Sequence, residues 1–229
     1  ARTERLLVVT SVVHHRDGGV VHAYTPYARE LEVWTRLFAA VTVAAPCAVG
    51  VPPADCAPLP AGVRLQPLPP VRAAHGRLTP RLLAEAGRAA VALLGALGTA
   101  DALQVRCPGN LGGLAVLLAP LVPRLRRRRI AKYAGQWGRH PGEAASTRAQ
   151  RWLLRSRWWG APTLVYGPAP DDPAHVVPAF STALDDALAA RARQAVGTAR
   201  AEDVVLYVGR LSAAKQVDVL LTALATLVA

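Results

Sequence analysis

The chain has 229 residues, 27 basic against 15 acidic side chains, a formal net charge of +12, three cysteines and no methionine. That length accommodates one large domain, or one domain and part of another, and 52% hydrophobic residues with a mean hydropathy of +0.23 exclude a disordered polyelectrolyte. An odd number of widely spaced cysteines makes neither a disulfide framework nor a tetrahedral metal site, so Cys47, Cys56 and Cys107 read as small buried hydrophobes of a reducing compartment.

Short β-branched runs alternate with helical stretches. Leu6–Thr10 (LLVVT) is a compact apolar run that closes on polar Thr10 and Ser11, as a buried parallel strand does. Tyr24–Ala39 has helical spacing, with Tyr27, Leu31, Trp34 and Phe38 along one side. Val41–Ala45 is a second strand closed by Pro46, and Pro52, Pro53, Pro58 and Pro60 make the following segment a loop. Val63–Leu68 is a third strand. Thr79–Pro80 starts a helix, with Thr as cap and Pro in the first turn, that runs to about Gly98. Ala102–Val105 is strand-like, and Leu114–Leu121, after Gly112–Gly113, is a buried helix. Ile130–Tyr133, Thr163–Tyr166 and Val176–Pro178 are further strands, with an Arg- and Trp-rich helix near Thr147–Trp159.

Strands separated by helix-length segments predict right-handed βαβ units, hence an α/β protein with a Rossmann-like doubly wound parallel sheet over residues 1–180. Residues 181–202 read as a connector, helical over Thr182–Val196. Residues 203–229 open a second, truncated Rossmann-like domain: Val204–Leu211 (VVLYVGRL) is the strongest strand pattern in the chain, and Val217–Val228 is the helix after it. The absent start methionine and the terminal apolar run Leu220–Ala229 mark a fragment. The longest apolar stretch, Leu111–Pro123, has thirteen residues, short of the roughly 20 that a membrane-spanning helix needs. No secretory leader pattern precedes the first strand. The expected location is cytoplasmic, with contact to the inner face of a membrane left open.

Twenty-five of the 27 basic residues are Arg, and Ala is abundant, a pairing that follows from GC-rich coding. The distribution is more telling. Arg124 to Arg157 holds eleven basic residues and one acidic one, Glu143, for a local charge of +10. This basic belt, with Trp152, Trp158 and Trp159 beside it, suits an anionic membrane surface, a polyanion, or simply a solvated face.

In an open α/β sheet, ligands settle beyond the C-terminal strand ends, where helix N-termini expose N–H groups and partial positive charge. Four segments fall there. In Val12–Tyr24, Gly18 and Gly19 either bring backbone N–H groups to a ligand or merely serve a turn. His14, His15 and His22 lack the partners that a metal site requires, although His22 remains a candidate acid or base on the acceptor side. In Arg106–Gly113 (RCPGNLGG), Arg106 and Asn110 are placed to meet a polar or anionic group, and the glycine spacing is not a dinucleotide fingerprint. Trp137, in the Gly-rich segment Tyr133–Gly142 that also holds His140, either stacks on a sugar or base or plugs the core. In Gly209–Lys215 (GRLSAAK), two cations at a helix start suit a diphosphate leaving group.

The last segment carries a resemblance. YVGRLSAAKQVDVLLTALATL resembles the first βα unit of the C-terminal domain in family 4 retaining glycosyltransferases of the GT-B fold. Gly209, Arg210, Leu211, Lys215, Asp218, Leu220, Leu221 and Ala223 match the family pattern, and Gln216 stands where the family usually has Gly. His175–Phe180 (HVVPAF) resembles the segment closing the first domain. The match is specific over about thirty residues and architectural elsewhere. It implies an acceptor-side first domain, and a donor diphosphate held by Arg210 and Lys215 with Gly18 and Gly19 approaching from the opposite side. It further implies a glycosyltransferase that moves a sugar, with retention, from a nucleotide sugar to a glycan or lipid-linked acceptor, needing neither metal nor other cofactor. The family's histidine after the fourth strand has no match, since Arg106–Cys107 stands there. Its paired glutamates would fall beyond Ala229, so no residue of this chain is assigned to catalysis and the fragment is expected to be inactive alone. The competing expectation is a nucleic-acid or polyanion binding protein that uses the Arg124–Arg157 belt. The diphosphate site favours sugar transfer without a nucleic-acid partner, and the missing G-x-G-x-x-G excludes a dinucleotide enzyme.

Overall fold

The computed structural model describes residues 3–71, 80–139, 142–167, 170–179, 186–195, 205–209 and 215–228. The chain divides into two compact units, residues 1–183 and 184–229.

Unit 1 is built on a parallel sheet of seven strands. Numbered with the strands of a second, smaller sheet in chain order, these are β1 (Arg5–Val9), β4 (Ala40–Ala45), β7 (Val63–Pro67), β8 (Ala102–Cys107), β9 (Arg129–Gln136), β10 (Thr163–Tyr166) and β11 (Val176–Pro178). They lie in the order β11-β10-β9-β8-β1-β4-β7. The chain runs outward from β1 to β7, returns to β8 beside β1, and then runs the other way, so the strand order reverses between β1 and β8. This is the Rossmann-like doubly wound architecture that the alternation of strands and helices predicts.

Both faces of β1 are buried, which is why it reads as an unbroken apolar run. Leu6 and Val8 pack with Val41 and Val43 against Tyr27 and Leu31 of α1 (Thr25–Leu37). Leu7 and Val9 face the opposite layer, with Leu93 and Leu97 of α2 (Pro80–Thr99), Leu111 and Ala115 of α3 (Asn110–Leu118) and Leu154 of α4 (Ala145–Arg155). The proposed α2 cap, Thr79, lies outside the described residues, as do His140 and Phe180.

Three local readings are corrected. First, the segment after β1 is no open loop, because β2 (His14–Asp17) and β3 (Val20–Tyr24) form a hairpin. With β5 (Cys47–Val49) and β6 (Cys56–Pro58) it makes the second sheet, of four strands, so part of the Pro-rich segment is strand as well. Second, α3 starts at Asn110 and contains Gly112 and Gly113, where the sequence puts its start after them. Helical glycines look like breakers in sequence, but here their lack of Cβ lets α3 sit against its neighbours. Third, α4 ends at Arg155, short of the expected Trp159. Cys107 is buried, whereas Cys47 and Cys56 are only half-buried, and all three are free thiols.

In unit 2, α5 (Asp186–Ala195) falls within the expected connector and α6 (Val217–Val228) is the expected helix. Val205–Gly209 belong to no strand, against the strongest strand pattern in the sequence. A strand is stabilised by a ladder partner, and the described residues of unit 2 offer none. Gln216, just before α6, has φ +49°. A side chain in this left-handed region costs roughly 1–2 kcal/mol, which explains why glycine is the residue expected there. Gln216→Gly should therefore slow amide exchange in the first turn of α6. Unchanged exchange would mean that the conformation carries no strain.

Candidate functional site

The reversal between β1 and β8 falls at the C-terminal edge of the sheet, the position where ligands of such folds settle. Thr10 shapes its β1 side: its hydroxyl accepts a hydrogen bond from the Val12 N–H at 3.1 Å, turning the chain so that Ser11 faces α3. Ser11 Oγ accepts from the Leu111 N–H at 3.2 Å. Gln150 of α4 clamps the other side, accepting from the Gly109 N–H at 3.3 Å and donating to the Gly109 carbonyl at 2.9 Å.

The glycines of this segment are demanded by packing. A Cβ on Gly109 would lie 2.4 Å from Ser11 Oγ, on Gly112 2.4 Å from the Arg106 carbonyl oxygen, and on Gly113 2.6 Å from Gln150 Nε2. Asn110 donates from Nδ2 to the Val71 carbonyl at 2.7 Å and so anchors the segment after β7 to the start of α3. This edge is thus a packed wall of backbone and small side chains at the N-terminus of α3. The sequence assigns no site role to Ser11 or Gln150 because their role depends on pairings across 100 and 41 positions.

Arg106 does not point into open solvent. Its Nη1 donates to Glu30 Oε2 at 2.6 Å, its guanidinium lies 4.7 Å from the Tyr27 ring centroid, and Lys132 Nζ donates to the same carboxylate oxygen at 2.8 Å. Gln104 Nε2 completes the set with Glu30 Oε1 at 3.1 Å. Burial alone raises the Glu30 carboxyl, but Arg106, Lys132 and the Gln104 amide outweigh it and hold it below the ordinary carboxylate range. The anionic group that Arg106 meets is therefore internal. Glu30 was legible in principle, as the one acidic residue three positions after Tyr27 on the apolar side of α1.

Gly18 and Gly19 form the tip of the β2–β3 hairpin, with φ of +52° and +85°. Positive φ at both central residues is what a two-residue hairpin turn needs, and no atom of another residue comes within 4 Å of where their Cβ atoms would be. The turn accounts for both. His22 sits on β3 opposite His15, with its Nδ1 enclosed and without a hydrogen-bond partner. Among the described residues no group of three or more His, Cys, Asp or Glu side chains is arranged to hold a metal.

Trp137 plugs the core. It is 4% exposed, stacks edge-on against Tyr133 at 4.9 Å, donates from Nε1 to Asp172 at 2.6 Å and lies under the Arg155 guanidinium. No face remains open for a sugar, so of the two readings the sequence offers for Trp137, stacking surface or core plug, the plug is the one observed. Lys215 is exposed two positions before α6. Arg210, its expected partner, lies outside the described residues.

The basic belt does not form one face. Arg129 and Arg151 are buried, Arg129 donating to the carbonyls of Leu125, Arg126 and Trp159, and Arg151 to the Gly138 carbonyl and Glu143. Lys132 belongs to the Glu30 cluster, and Arg155 pairs with Asp172. Of the rest, Arg124 to Arg128 precede β9 at the N-terminal edge of the sheet, with Arg128 on Glu4 and Arg124 3.9 Å from Asp101, whereas Arg139 and Arg148 follow the C-terminal end of β9. Trp159 is buried; Trp152 and Trp158 are exposed. No described helix is long and apolar enough to cross a membrane.

His14, the first residue of β2, is fully buried, edge-on to Tyr27, and its Nδ1–H donates to the Val12 carbonyl at 3.0 Å, leaving Nε2 as a bare acceptor. Burial pushes the imidazole down to about 4. Unfolding restores about 6.5, so as pH falls the unfolded chain takes up the proton first. The stability held by neutral His14 is whole above about 6.5 and is lost on the way down to about 4, a change on the order of 3 kcal/mol. Urea midpoints measured across this range should fall, and those of His14→Leu should fall less; parallel profiles would contradict the assignment.

No protein-family model matches the chain, and no curated protein is significantly similar to it.

Proposed function

We propose that this chain is the acceptor-side domain and the beginning of the donor-side domain of a metal-independent retaining glycosyltransferase of the GT-B type. In this reading a sugar passes from a nucleotide-sugar donor to a glycan or lipid-linked acceptor. The observation that carries it is the segment around Lys215. The exposed Lys215 stands two positions before α6, whose N-terminal N–H groups favour anions. Gln216 beside it adopts the left-handed conformation at the position where the resembled family has glycine.

The doubly wound sheet of unit 1, with its strand reversal between β1 and β8, supports the same reading. So do Leu206, Val208, Leu221 and Leu227, exposed apolar residues that further strands and helices of a Rossmann-like domain would bury. The donor diphosphate would lie on Lys215 and Arg210. Nucleic-acid binding draws little support from a belt divided between opposite edges of the sheet. A peripheral membrane contact would use Trp152, Trp158 and the Arg residues exposed near them, on a cytoplasmic protein.

The test is sugar release from a panel of UDP- and GDP-sugars by the full-length gene product. Lys215→Ala should weaken nucleotide-sugar use by about ten- to a hundredfold, the range for losing a charged contact to a phosphate, and leave the thermal midpoint in place because the side chain is exposed. Unchanged turnover would overturn the reading.

A further inference from the structure

The N-terminal edge of the seven-stranded sheet gathers segments that are far apart in sequence. α3 runs back against the strands, so its C-terminal end and the turn Ala119–Leu121 arrive there, beside the segment that leads into β9. The end of α4 arrives there too, ahead of β10. Hydrogen bonds hold these pieces together. Trp158 Nε1 donates to the Leu117 carbonyl at 3.2 Å. Arg129 donates to the carbonyls of Leu125 and Arg126 on one side and of Trp159 on the other.

The surface so assembled is both apolar and cationic. Leu117, Leu121 and Trp158 are 45%, 56% and 42% exposed. Exposed Arg126 lies against this surface, its Nε donating to the Pro120 carbonyl at 3.4 Å, and exposed Arg127 and Arg157 adjoin it in the chain. The acids that precede β1 and β8, Glu4 and Asp101, are taken by Arg128 and by Arg5 with Arg124. Arg126, Arg127 and Arg157 meet no carboxylate among the described residues, so their positive charges are left over.

We infer that this edge is a peripheral binding surface for an anionic lipid bilayer. Guanidinium groups attract acidic headgroups, and each basic residue near such a surface strengthens partition about fivefold. Trp158 carries the amphipathic ring that settles at headgroup level, and Leu117 and Leu121 enter the boundary of the acyl chains. That aliphatic pair favours a bilayer over a nucleic acid, which offers it no apolar volume. The inference gives a place to the peripheral contact named above, and it stands without sugar transfer because binding is read with no donor present. It also sets an orientation. With the N-terminal edge on the bilayer, the opposite edge, where Ser11 meets Leu111, faces away, so the contact anchors the protein and delivers no lipid there.

Co-sedimentation of the 229-residue chain with vesicles tests it. Binding to equimolar phosphatidylglycerol and phosphatidylcholine is expected, weakening as salt is added, with little on phosphatidylcholine alone. Arg127→Gln combined with Arg157→Gln should weaken it about twenty-five-fold, fivefold for each charge. The thermal midpoint should stay in place, because neither side chain bonds another among the described residues. Leu121→Ser should weaken binding about tenfold, the factor for a leucine that loses its apolar burial. Arg16→Gln with Arg29→Gln, which removes the same charge from the hairpin and α1, should leave it in place. No sedimentation with the anionic vesicles would overturn the inference, as would equal losses from the two arginine pairs. Duplex DNA bound through Arg127 and Arg157 while vesicles stay unbound would assign the surface to nucleic acid instead. A dimer that Leu121→Ser disperses and that ignores vesicles would assign it to a second copy.

Discussion

Glu30→Ala should destabilise unit 1 by about 3–5 kcal/mol, the cost of stranding a buried charge whose partner has been removed. The side chains of Glu30, Arg106 and Lys132 are 21%, 17% and 10% exposed, so solvent screens the cluster little. Removing the carboxylate leaves two cations facing each other where one oxygen had joined them at 2.6 and 2.8 Å. It also cuts the tie from α1 to β8 and β9, which joins residues 76 and 102 positions apart. Because the folded carboxyl is held below its ordinary range, this contribution is present above the unfolded value of about 4.3 and fades as pH falls below it. The measurement is urea unfolding at neutral pH. A loss under about 1 kcal/mol would show a solvent-screened pair instead. Combining Glu30→Met, Arg106→Met and Lys132→Met should recover most of the loss, since apolar side chains of similar volume substitute well for buried ion clusters.

Gly112→Ala should cost about 2–3 kcal/mol or more, the upper part of the range for forcing atoms into a packed interior. In an exposed helix interior the same change gains roughly 1 kcal/mol through helix propensity. Here the sign reverses, because the new methyl would lie 2.4 Å from the Arg106 carbonyl oxygen and 3.3 Å from Cys107 Sγ. A backbone oxygen cannot rotate away as a side chain can, so α3 must shift off the sheet. The Ser11–Leu111 and Gln150–Gly109 bonds would lengthen with it. Thermal unfolding and amide exchange at Leu111 measure both effects. A midpoint equal to that of the unaltered chain would mean that α3 has room which its packing does not show.

Much of the fold was legible because it is local. Leu6–Thr10 announces a strand buried on both faces, since only a parallel strand between two helical layers leaves no position for a polar side chain. Tyr27 and Leu31 announce the buried side of α1 by their spacing. The hairpin was hidden: His14–Asp17 is polar and carries no alternation, so only the Gly18–Gly19 tip signalled it. The apolar run after residue 204 shows the opposite failure. Its residues favour a strand, but pairing needs a neighbour, and none of the described residues of unit 2 supplies one.

The site divides along the same line. Lys215 and the residues of its motif can be read from sequence because a short loop before a helix is set by near neighbours. Trp137, Arg106 and the basic belt could not be assigned that way. A cation in a sequence is free until a carboxylate from another element meets it, and Glu30, Asp172, Asp101 and Glu143 are brought to their arginines by the chain's return path. The sequence alone determined the alternation of elements and the class of fold, since both follow from the period of apolar residues. Which charges are spent inside the protein only the tertiary structure decided, because burial and pairing belong to residues that are distant in the chain and adjacent in space.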